Sequence, residues 1–96
     1  MMMAHPHSTN HEITTMAKEL YEQQIRRQVE ANNLGKYLVI EVETGDYEID
    51  ADEMVAMQRA AERHPGGALA GIKMLYGYHL FIDVIDGGEI RITKRT

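Results

Sequence analysis

Apolar residues recur at three- and four-residue steps early in the chain: Ile13, Met16/Ala17, Leu20/Tyr21, Ile25 and Val29. That spacing predicts an amphipathic helix with one apolar stripe. Its other face carries Lys18, Glu19, Glu22, Arg26 and Arg27. Thr9-Asn10-His11-Glu12 has the spacing of a capping box and supplies the start. Asn32-Asn33-Leu34-Gly35 supplies the stop, with Gly35 suited to a left-handed cap. The period then changes to two. Over 37–43, Leu38, Ile40 and Val42 alternate with Tyr37, Val39, Glu41 and Glu43. This predicts a strand covered on its aliphatic side, with Glu41 and Glu43 on the solvent side. Thr44-Gly45-Asp46 is turn chemistry, and a short return strand over 47–49 completes a hairpin.

The second helix is predicted from its start. Asp50 as N-cap and Glu53 three residues later form a capping box, with Ile49 and Met54 placed as a hydrophobic staple. Met54, Val55, Met57 and Ala61 supply a narrow apolar side, and Pro65-Gly66-Gly67 follows the end at Glu62-Arg63-His64. The last third reads as strand: 68–76 and 78–85, split at Gly77, then a hairpin turn at Asp86-Gly87-Gly88 and a strand over 89–94. The expected order is α-β-β-α-β-β-β. It describes an α+β fold with an N-terminal helix and a twisted antiparallel sheet of four to five strands. A second helix follows the first hairpin, and both helices lie on one face. Residues 1–8, with Pro6 and little apolar material, read as a disordered tail, and 9–96 as a single α+β domain.

Composition narrows the function classes. At 96 residues there is room for one modest core. The absence of cysteine excludes disulfides, thiolate zinc sites and thiol catalysis. It suits a reducing, cytoplasmic setting. The start lacks a basic segment followed by an apolar one, and no window approaches a membrane span, so neither a signal peptide nor a membrane partner is expected. A net charge of −5 disfavours broad binding to nucleic acid.

Candidate chemistry is sparse. Carboxylates cluster at Glu41, Glu43, Asp46, Glu48, Asp50, Asp52 and Glu53. Asp50-x-Asp52 resembles the opening of a calcium loop, but the Gly and Glu that such a loop needs at its sixth and twelfth positions are Val55 and Ala61. His5, His7 and His11 fall in or beside the tail, and His64 suits the negative end of a helix. His79, beside Gly77, is the histidine to test as a general base, although no motif supplies it with a nucleophile. Ser8 is the sole serine, and Gly66-Gly67-x-x-x-Gly71 lacks the Lys-Ser/Thr pair of a phosphate loop. No catalytic residue, metal ligand or cofactor is therefore assigned. Arg91, Lys94 and Arg95 make a small basic end that could meet nucleic acid. Tyr37, Tyr47, Tyr76 and Tyr78 fall on strands or turns, where a ring packs while its hydroxyl stays wet, as at protein interfaces. Together with a final strand whose edge can add a partner, they make Tyr76, Tyr78, Arg91 and Lys94 the candidate partner-binding residues.

Between Gly35 and Ala56 the sequence follows the pattern GK-x-x-x-I-x-x-x-TGDYEID-x-DE-x-x-A, with Tyr21 upstream and His64-Pro65 downstream. In this it resembles a group of short bacterial proteins of uncharacterised function that are frequent in cyanobacteria. The resemblance runs from about Tyr21 to Tyr76, and the Phe81–Thr96 stretch departs from it. It implies a small cytoplasmic accessory protein, such as the antitoxin-like member of a two-gene unit, and brings no catalytic residues. The expectation is a non-catalytic interaction module that binds a protein partner or forms a homodimer. The alternatives are a small metal-dependent hydrolase using the acidic turn and a histidine, or a nucleic-acid-binding module using the basic C-terminus.

Overall fold

The computed structural model describes residues 10–75, 78–86 and 89–92, with side chains over 11–75. The expected tail at 1–8, the capping Thr9, Tyr76, Gly77, the turn at Gly87-Gly88, Lys94 and Arg95 lie outside the described residues. So do the side chains of Tyr78, His79, Ile90, Arg91 and Ile92.

The fold is α+β, with two helical segments and an antiparallel sheet. The first helical segment runs through α1 (Asn10–Leu20), a π-helical turn (Tyr21–Ile25), α2 (Arg26–Val29) and a closing 3-10 turn (Glu30–Asn32). Its buried residues explain the π turn. Ile13, Ala17, Tyr21, Ile25 and Val29 are all buried and all four apart. In a regular helix each four-residue step advances about 40° beyond one turn, so Val29 would swing roughly 160° away from Ile13. A π turn takes in one extra residue and rotates the later positions back by about 100°. All five residues can then face the same core.

β1 (Tyr37–Glu41) pairs antiparallel with β2 (Tyr47–Asp50) on one side and with β3 (Ala68–Leu75) on the other. β4 (Tyr78–Asp86) and β5 (Glu89–Ile92) continue the sheet beyond β3, in the order β2-β1-β3-β4-β5. β2 and β3 both run against β1 and are therefore parallel to each other. Their connection must cross a face of the sheet, and α3 (Glu53–Arg63) makes that crossing over β1 and β2.

The two helical segments cover opposite faces, which corrects the expectation of one shared face. The first packs with Leu38, Ile40, Ala70, Ile72 and Met74. α3 packs with Val39 and Leu69 through Ala56, Met57 and Ala60. Interior strand β1 is thus buried on both sides, and Val39 and Glu41, read as a solvent side, are 0% and 3% exposed. α3 also turns differently from the expected register. Asp52 is its N-cap, accepting from Met54 N at 2.9 Å, while Asp50 accepts from Asp52 N at 2.8 Å. Met54 stands 60% exposed, so no staple forms with Ile49.

Candidate functional site

β1 ends at Glu41 rather than Glu43 because the Glu41 side chain folds back on the turn that follows. Its Oε1 accepts from Thr44 N at 2.9 Å and from Thr44 Oγ1 at 2.8 Å, and its Oε2 accepts from Glu43 N at 3.2 Å. The main chain closes the same loop: Gly45 N donates to Glu41 O at 2.8 Å, and Glu41 N donates to Asp46 O at 2.8 Å. Gly45 takes φ +80° there, a conformation that only glycine adopts without strain.

His64 reaches this turn from the C-cap of α3. Its Nε2 lies 3.0 Å from Asp46 Oδ2, and its Nδ1 lies 3.9 Å from Glu41 Oε1, which is beyond hydrogen-bonding distance. Arg63 holds the same acids from the outside, donating to Asp46 at 3.1 Å and to Glu48 at 2.6 Å. Hydrogen bonding to Glu48 and the charge of Asp46 raise the Arg63 guanidinium above its ordinary value. Gly67 lets the two segments meet. A Cβ there would come within 3.0 Å of His64 O and 3.2 Å of Glu41 Cγ. A shallow cleft of ≈ 300 Å³ lies over the cluster, lined in part by Glu41, Thr44, Arg63 and His64.

The chemical capacity of this cluster is limited by its geometry. The imidazole stands between Glu41 and Asp46, so the two carboxylates do not converge on a common point. Among the described residues, no three His, Asp or Glu side chains are placed to hold a metal ion. Thr44 Oγ1 already donates to Glu41 and accepts from Asp46 N at 3.1 Å. The arrangement holds the β1–β2 turn onto the end of α3.

A second polar group lies under the π turn. Tyr21 is fully buried, and its hydroxyl donates to Glu30 Oε2 at 2.8 Å. Arg26 Nε donates to Glu30 Oε1 at 2.9 Å, and its Nη1 to Glu22 at 3.0 Å. Burial first, and then the bond to Glu30, push the Tyr21 hydroxyl far above its ordinary value. All three contacts join residues of one helical segment and brace its irregular turn.

The third feature is the outer edge of β2, which ends the sheet among the described residues. The pairing register tells which way its peptide groups point. Glu41 and Asp46 are a hydrogen-bonded pair, so bonding alternates to Val39–Glu48 and Tyr37–Asp50. The even residues of β1 bond to β3 instead, as Val42 N to Ala68 O and Met74 N to Lys36 O show. The peptide N–H and C=O groups of Tyr47 and Ile49 therefore point away from the sheet. Their side chains lie half-buried at the margin of the larger core. Glu48 and Asp50 lie on the α3 face, where Arg63 and Arg59 meet them at 2.6 Å and 3.4 Å.

Of the residues singled out from sequence for partner binding, Tyr78 lies in β4 and Arg91 in β5, and their side chains fall outside the described residues, as do Tyr76 and Lys94 altogether. Tyr37 is half-buried, with Lys73 Nζ 5.2 Å from its ring centroid. The hydrolase alternative sets His64 or His79 with the acidic turn; His64 is the one found there, and the side chain of His79 falls outside the described residues. No helix among the described residues is long and apolar enough to cross a membrane. Comparison with protein-family models, with curated proteins and with solved structures finds no match to this chain.

Proposed function

We propose that this chain is a non-catalytic interaction module of the cytoplasm. It binds a protein partner or a second copy of itself, as the accessory or antitoxin-like member of a two-gene unit. The observation that carries this reading is the β2 edge, where the peptide groups of Tyr47 and Ile49 face outward beside half-buried apolar side chains. An open edge is a ready template for another strand. The polar clusters point the same way, since Glu41, Asp46 and His64 are engaged with the turn and with one another. A sheet of four to five strands gives the edge a rigid backing.

Light scattering of the chain, together with capture from native extract using it as bait, tests the reading. Self-association or capture that the wild type shows and Ile49→Pro lacks supports it. A monomer that captures nothing overturns it. The metal-dependent hydrolase reading has one observation in its favour, namely that the fold brings Glu41 and Asp46 to His64. It predicts a rise in melting temperature with calcium, magnesium, manganese or zinc that His64→Gln abolishes.

A further inference from the structure

The open edge has two chemically different sides. On the side of the first helical segment it presents Tyr47 and Ile49, half-buried against the larger core. On the α3 side it presents Glu48 and Asp50. From Tyr37 to Gln58 the chain has seven carboxylates and no Lys or Arg. The two arginines that reach the edge from α3 are each about half exposed. The Glu48 and Asp50 side chains are themselves 20% and 28% exposed, so each keeps part of its surface open at the edge beside its arginine, and ion pairs with a half-exposed member hold only weakly.

A strand laid beside β2 takes its register from the peptide groups of Tyr47 and Ile49. Its successive side chains then alternate between the two sides. One set comes to lie beside Tyr47 and Ile49, and the other beside Glu48 and Asp50. Cross-strand neighbours of opposite charge are favourable, and like charges are not. A second copy of β2 fits poorly, because it would set Glu48 and Asp50 against their own counterparts. Resting on the interaction-module reading, we infer that the β2 edge takes an extended segment of a partner protein in which apolar residues alternate with lysine or arginine.

The test uses the full chain and fluorescent peptides about six residues long. One alternates valine and lysine, one alternates valine and glutamate, and one has the first composition in two blocks. The valine–lysine peptide binds, more weakly as salt rises, and the other two do not. Ile49→Pro removes an N–H that faces away from the ladder, a placement that edge strands tolerate, and weakens binding about tenfold. The double variant Glu48→Lys/Asp50→Lys reverses the preference in favour of the valine–glutamate peptide. That reversal decides the matter on its own if Ile49→Pro fails to fold by circular dichroism. Equal binding of the blocked peptide, or binding indifferent to the charge reversal, overturns the inference. A chain that binds none of the peptides yet forms a dimer sensitive to Ile49→Pro also overturns it, while leaving the interaction-module reading standing.

Discussion

Replacing Glu41 separates a residue that locks a turn from one kept for chemistry. Its carboxylate is 3% exposed and accepts three hydrogen bonds, all from the loop it closes. Bonds to a charged acceptor contribute about 1.5–3 kcal/mol each, so three give roughly 4.5–9 kcal/mol. Against this stands several kcal/mol for taking the carboxylate out of water. Glu43 and Thr44 are exposed, so water can satisfy part of what Glu41→Ala leaves behind. The net loss comes to about 2–4 kcal/mol. Glu41→Gln keeps the shape and an oxygen for Thr44 but sets an amide NH2 against Glu43 N–H. Losing that one bond costs about 1–2 kcal/mol. With an unfolding slope of about 1.5 kcal/mol/M in urea, the alanine variant lowers the midpoint by about 1.3–2.7 M and the glutamine variant by about half as much. The assay is urea unfolding followed by circular dichroism, with the slope checked for constancy. Acids held buried for catalysis are kept at the expense of stability, and their removal stabilises. An unchanged or raised midpoint in either variant would refute the turn-locking account.

Other substitutions test neighbouring parts of the argument. Gly67→Ala brings a Cβ within 3.0 Å of His64 O and costs about 1–3 kcal/mol, read from thermal melting. Gly66→Ala meets open space but sits at φ +76°, and costs about 1–2 kcal/mol through the backbone alone. Tyr21→Phe loses the bond to Glu30, which Arg26 still holds, and costs about 1–2 kcal/mol at neutral pH. The Tyr21 hydroxyl is raised in the folded chain, so its contribution is complete below the unfolded value of about 10 and falls as pH rises beyond it. The phenylalanine variant therefore loses stability less steeply in alkali than the wild type, which denaturant midpoints across that range will show. Asp52→Ala removes the N-cap of α3 and costs about 1 kcal/mol, while Asp52→Asn largely restores it in the same melting assay.

The first helical segment and the β1–β2 hairpin were legible because single residues carry them. A four-residue apolar spacing marks the segment, Gly35 its end, and Thr44-Gly45-Asp46 the turn. The same spacing also held the π turn, visible only when the drift of a regular helix is worked out over the whole stripe. The two-sided burial of β1 was hidden by Glu41. A glutamate two residues after a valine reads as a solvent face, and its capacity to satisfy the following turn depends on a loop shape that is not local. The face of α3 was hidden for a different reason. Ala56 and Ala60 carry little hydrophobic signal, yet their small size lets the helix approach Val39 and Leu69. Met54 carries more signal and points to solvent. The approach of His64 to Glu41 joins residues 23 apart, and follows only once the crossover from β2 to β3 is placed over the sheet.

The account rests most on an open β2 edge, and amide hydrogen exchange reads that edge residue by residue. In the free chain at low concentration, the amides of Tyr47 and Ile49 should exchange close to the rate of an unprotected peptide, with Glu48 between them protected by its bond to β1. Protection of Tyr47 and Ile49 equal to that of Glu48 in a monomeric chain would mean that the edge is already covered, and would contradict the proposed mode of binding.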